Sequence, residues 1–172
     1  MSASTTAVCP IFQGFTVEEY EQVLGLLEEK SYAKGDVIIQ EGKTKQDLWI
    51  IVKGTCEVVK TNKTHDEKQL ATIETGAVFG EMSFFKEAPH SATVRASTDV
   101  DLMRLSRESF EQLKKRCPSA ASKIVLSVVG LMAQRIRRMD EWICNFVERP
   151  EAAHHREEWH DFRAKLYADW QF

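Results

Sequence analysis

Residues 79–96 read FGEMSFFKEAPHSATVRA. Gly80 permits a tight turn and a close backbone approach. Glu81 then offers a carboxylate suited to two-pronged hydrogen bonding with a sugar hydroxyl. Met82, Ser83, Phe84 and Phe85 suit a single helical turn, and free N–H groups at the start of such a turn attract anions. Pro89 fixes the chain just ahead of Ser91, where an alternating run through Ala92, Val94 and Ala96 reads as a strand. One short loop therefore gathers an acceptor, several N–H donors, the imidazole of His90 and the hydroxyl of Ser91.

The flanking sequence has the same texture from about 36 to 105. Short apolar or alternating runs recur: 37–39, 48–52, 56–59, 70–73, 92–96 and 100–102. Turn signals separate them at Glu41-Gly42, Lys53-Gly54 and Thr75-Gly76, and across the charged tip 60–68. Gly35, Gly42, Gly54, Gly76 and Gly80 fall in this stretch, where turns call for positive φ. Many short strands at even spacing predict an antiparallel sandwich or barrel.

Outside this region the period is helical. Thr16 and Glu19 fit a capping box, followed by Tyr20, Val23, Leu24 and Leu27. The spacing predicts a helix from Thr16 to about Lys30. Residues 107–116 predict a second helix, ended by Pro118. A long helix follows over 119–147, with Val125, Val129, Met132, Ile136, Met139, Ile143 and Phe146 in a heptad seam. Pro150 ends it. The organisation expected is a loose arm over 1–10, a β unit with flanking helices over 11–118, a long helix over 119–149 and an amphipathic tail over 150–172. That tail carries Trp159, Phe162, Leu166 and Trp170.

The chain has 172 residues and a net charge of −3. A chain of that size buries roughly 70% of its unfolded surface, so it needs no staples. Hydrophobic residues at 43% and charged residues at 28% exclude wholesale disorder. A pI near 6.0 argues against nucleic acid as the main partner. No apolar run of about 18 residues is evident, which excludes a membrane span on this reading. Cys9, Cys56, Cys117 and Cys144 form no CxxC pair, and with no signal-peptide pattern they indicate reduced thiols in a cytoplasmic protein.

The motifs KGDVIIQEG (34–42), LWIIVKG (48–54), GAVFGEMSFF (76–85), PHSATVRA (89–96) and DVDLMRLSRESFEQL (99–113) resemble those of cyclic nucleotide-binding domains. Such domains serve catabolite-activator-type regulators, protein kinase A regulatory subunits and nucleotide-gated channels. The resemblance implies a mostly β fold with flanking α: a double-stranded β-helix (jelly roll) with an N-terminal helix and C-terminal helices. It also implies a phosphate-binding cassette whose ligand-binding residues are Phe79, Gly80, Glu81, Met82, Ser83, His90, Ser91 and Ala92. Glu81 would bind the ribose 2′-hydroxyl, and the backbone near Met82 and Ser83 the cyclic phosphate. Ser91 would contact phosphate or purine and permits either base. The implied ligand is cAMP or cGMP, with no cofactor, no metal and no enzymatic activity.

His90 departs from the family pattern, which has an arginine there that pairs with the phosphate. Losing a hydrogen bond to a charged group costs about 1.5–3 kcal/mol. A histidine of reference pKa near 6.5 is only about a quarter charged at pH 7. Three readings are open: a weaker phosphate ligand, a pocket that has lost or changed its ligand, or a loop residue with no role. The first expects tighter binding at pH 6.0 and a gain from His90→Arg.

Other constellations have plainer readings. The seam is either a dimer coiled coil or a face packed on the roll, and the resemblance favours a homodimer through 119–147. Trp142 either caps a base or packs beside the seam. Arg135, Arg137 and Arg138 read as a solvated helix face. His154, His155 and His160 lack metal-ligand spacing, and His65 and His90 lack the HxH pair of a cupin. The 22 residues after Pro150 are too few for a helix-turn-helix. The expectation is therefore a ligand-sensing regulatory module with an unknown downstream protein, no direct DNA binding and no membrane. The alternative is a degenerate domain acting as a dimerisation or docking scaffold.

Overall fold

The computed structural model describes residues 9–147, apart from 63 and 65. The chain divides into two compact units, 1–128 and 129–172. Residues 1–8 of the arm predicted over 1–10, the end of the long helix at Pro150 and the tail over 150–172 lie outside the described residues, whereas Cys9 of that arm is buried and Pro10 is in a turn, so these two are not loose.

The first unit opens with a short 3-10 turn, Pro10–Phe12, whose Ile11 and Phe12 are buried. Helix α1 (Val17–Leu24) begins where the capping box predicts. The Glu19 N–H donates to Thr16 Oγ1 at 3.2 Å, and the Thr16 N–H donates to Glu19 Oε2 at 2.9 Å. The helix stops at Gly25 rather than near Lys30. Glycine is a poor helix former, and Glu28–Tyr32 forms strand β1, which pairs antiparallel with β8. That strand is largely exposed, so no apolar alternation marks it in the sequence.

Seven further strands follow: β2 (Val37–Ile39), β3 (Asp47–Lys53), β4 (Thr55–Thr61), β5 (Glu67–Glu74), β6 (Val78–Phe79), β7 (Thr93–Ala96) and β8 (Val100–Ser106). They form two four-stranded sheets, ordered β1-β8-β3-β6 and β2-β7-β4-β5. All pairings are antiparallel. The arrangement is a jelly-roll β sandwich with flanking helices, as the sequence implies. Its core comprises Ile39, Trp49, Ile51, Cys56, Phe79, Val94, Ala96, Val100 and Leu102. Trp49 and Ile51 enter this core from alternate positions of β3, and Leu48 and Ile50, which alternate with them, are buried as well. A strand covered on both faces reads as a continuous apolar run.

Between β6 and β7 lie α2 (Glu81–Phe85) and a loop. After β8, Ser106 caps α3 (Arg107–Arg116) by accepting from the Ser109 N–H at 3.1 Å. Pro118 then opens α4 (Pro118–Val147), a position where its missing N–H costs nothing. Ala120, Ala121, Ile124 and Val128 of α4 are buried within the first unit. In the second unit Val129, Ile136 and Met139 of the predicted seam are exposed. One 18-residue window in Pro118–Asn145 is long and apolar enough to cross a bilayer, contrary to the sequence expectation. The buried residues at 120–128 assign its first turns to the protein interior.

Candidate functional site

The cassette starts at β6, which pairs with β3 through Phe79 opposite Trp49. The two rings stack at 6.3 Å with an interplanar angle of 10°. Gly80 follows at φ +84, where a Cβ would stand 2.4 Å from the Asp47 carbonyl oxygen. Only glycine fits that crossing. The chain then turns into α2, whose first residue, Glu81, is buried. Met82 faces outward at 60% exposure, whereas Ser83 is only 2% exposed.

The far end of α2 is tied down from two sides. Gln46 Nε2 and Arg107 Nη1 each donate to the Phe84 carbonyl at 3.2 Å. The Phe84 ring meets Phe85 and Phe110 edge-on at 5.0 and 5.4 Å, and the Arg107 guanidinium lies 5.9 Å from its centroid. Five residues form no stable helix by themselves, so these outside bonds define α2.

The structure brings the two halves of the predicted site together. His90 Nδ1 and Ser83 Oγ share a buried hydrogen bond of 2.9 Å. Ser91 Oγ donates to Met82 Sδ at 3.7 Å. The His90 N–H donates to the Lys43 carbonyl, and the His90 carbonyl accepts from the Gly42 N–H, both at 2.9 Å. His90 is 8% exposed, so it is no surface loop residue. Burial pushes its imidazole below the ordinary 6.5; the Asp47 carboxylate opposes that shift and Lys45 adds to it. That shift works against the charging of the ring on which the phosphate-ligand reading relies. Ser91 is exposed and Ala92 is buried at the entry to β7.

Sequence reading missed the ion pairs beneath the cassette. Asp47, 3% exposed, meets Arg104 Nη2 at 2.8 Å and Lys45 Nζ at 3.0 Å. Asp47 Oδ2 is held by the Lys45 ion pair and not by a hydrogen bond, and Arg104 Nε is buried without a hydrogen-bond partner. Arg104 also donates to Glu28 of β1 at 3.1 Å. No local pattern could reveal a pair that β3–β8 pairing alone creates. Among the described residues no cluster of three or more His, Cys, Asp or Glu side chains could hold a metal. His65, His154, His155 and His160 lie outside the described residues.

The sequence matches the family described as "Cyclic nucleotide-binding domain" over residues 29–117, just over half of the chain. It is 31% identical over 131 residues to the cyclic AMP receptor protein of Thermus thermophilus, covering 76% of this chain and 59% of that protein. It is 29% identical over 104 residues to a cAMP-dependent protein kinase regulatory subunit of Blastocladiella emersonii, covering 60% of this chain and 26% of that one. The crystal structure of Thermus thermophilus catabolite activator protein superposes with a TM-score of 0.70 at 29% identity. That superposition covers 80% of this chain and 62% of the other. Together with the sandwich topology, these matches establish that the chain belongs to the cyclic nucleotide-binding domain family.

Proposed function

We propose that the chain is a regulatory ligand-sensing module that takes cAMP, cGMP or a related small anion in the Phe79–Ala92 cassette. Glu81 receives the ribose 2′-hydroxyl, the backbone at Met82 and Ser83 receives the cyclic phosphate, and Ser91 lies beside phosphate or base. The observation that carries this reading is the family match across the cassette, joined to a buried Glu81 directly after Gly80. Occupancy is relayed through α4, with a coupling of about 1–3 kcal/mol typical of such switches. The output is a homodimer through 119–147 acting on a downstream protein in the cytoplasm, with neither DNA nor membrane as a direct partner. Exposed Val129, Ile136 and Met139 support the dimer.

Calorimetric titration with cAMP and cGMP at pH 7.5 tests the ligand. Heat with the native protein, reduced about 10- to 150-fold in affinity by Glu81→Ala, supports it. Sedimentation velocity tests the assembly: Ile136→Glu is expected to convert dimer to monomer. A second reading, a scaffold without nucleotide, draws on the Ser83–His90 bond, because a side chain turned inward is no phosphate ligand. Titrations without heat, even with His90→Arg, would favour that reading.

A further inference from the structure

His90 sits in the cassette but is engaged on three sides by the protein. Its main chain forms two hydrogen bonds with Gly42 and Lys43, and its ring bonds Ser83 seven residues earlier. Ser83 is the central residue of α2, two positions after Glu81. The end of α2 has its own ties, from Gln46 and Arg107 to Phe84. Its opening turn is joined to the 42–43 loop by way of Ser83 and His90. We infer that His90 is a positioning residue: through Ser83 it fixes the turn that carries Glu81, rather than touching the ligand's phosphate itself.

This inference rests on the nucleotide reading of the same site and gives position 90 a different task from that of a phosphate ligand. Two charged groups act on the ring, Asp47 of β3 and Lys45 ahead of it, and burial outweighs the favourable carboxylate. A neutral ring can either donate to or accept from the Ser83 hydroxyl. Both partners are buried, so losing either leaves a polar group without its bond.

The test combines amide hydrogen exchange over 79–92 with calorimetric titration of cAMP and cGMP at pH 7.5. Its variants are Ser83→Ala, His90→Ala, the double alanine variant and His90→Asn, whose amide occupies the place of Nδ1. Each single alanine change is expected to speed exchange at 81–85 by about tenfold, with no further increase in the double variant. His90→Asn is expected to restore both slow exchange and affinity, and each alanine variant to lose about tenfold in affinity. Additive exchange effects would overturn the inference. So would His90→Asn restoring slow exchange while binding as poorly as His90→Ala, because the imidazole would then be touching the ligand. A native protein that binds neither nucleotide defeats the function proposed above, and the exchange experiment still decides whether the bond fixes the turn.

Discussion

Lys123 Nζ lies 2.6 Å from Glu19 Oε2, although the two residues are 104 positions apart. The same ammonium donates to the Gly14 carbonyl at 2.7 Å. One cation at the start of α4 thus holds both α1 and the turn that precedes it. Glu19 Oε2 also receives the Thr16 N–H, so the capping carboxylate doubles as a tertiary anchor.

The Lys123 ammonium, helped by that N–H, lowers the Glu19 carboxyl from 4.5 to about 2. A depressed carboxyl stabilises the fold above its unfolded pKa, and that stability is lost as pH falls through the folded value. Thermal denaturation between pH 5 and 2 is the measurement. Glu19→Gln is expected to melt lower at pH 7 and to show a shallower fall in Tm across the acid range. An unchanged slope would remove Glu19 from the account.

His90 titrates in the opposite chemical sense. Burial lowers its folded pKa below 6.5, so the native state stays neutral where the unfolded chain takes up a proton. Stability is therefore present above about pH 6.5 and declines as pH falls toward the folded value. The ring signal in an NMR titration is expected to have its midpoint below 6.5. Calorimetric affinity for cAMP is expected to stay within about twofold between pH 7.5 and 6.0, because a ring turned toward Ser83 makes no charged contact with the phosphate. Tighter binding at pH 6.0 that disappears in His90→Asn would show a charged imidazole at the ligand instead.

Arg104→Met leaves the Asp47 carboxylate buried with only the Lys45 ion pair. Breaking a buried pair from one side costs about 3–5 kcal/mol. Urea denaturation is expected to show that loss, and Asp47→Asn combined with Arg104→Met to recover part of it. A loss under about 1 kcal/mol would mean that solvent replaces the guanidinium.

Gly80 and Gly76 provide an internal control for backbone strain. Both have positive φ, +84 and +88, but only at Gly80 does a Cβ meet a backbone oxygen. Gly76→Ala is expected to cost about 1–2 kcal/mol, the penalty of left-handed backbone alone. Gly80→Ala adds the clash with Asp47 and is expected to exceed about 3 kcal/mol. Equal melting temperatures for the two variants would show that β3 yields at Asp47.

Features that depend on neighbours along the chain are legible in the residues alone. The capping box at Thr16, the apolar runs of β2, β3, β4, β7 and β8, the capped α3 and the long α4 all obey local periods or local hydrogen bonds. The motif at 79–96 likewise marked a helical turn at 82–85 followed by a strand. Which side chains meet across the fold is set by long-range packing. β1 exists because β8 offers it backbone partners, although residues 28–30 read as the end of a helix. Asp47 and Arg104 meet because antiparallel register sets Trp49 opposite Arg104 and brings Asp47 within reach. His90 turns toward Ser83 because the 42–43 loop anchors its main chain. Periodicity encodes the direction of a side chain relative to its own element. Its partner is set by loop closure and sheet register, which join residues that share no local pattern.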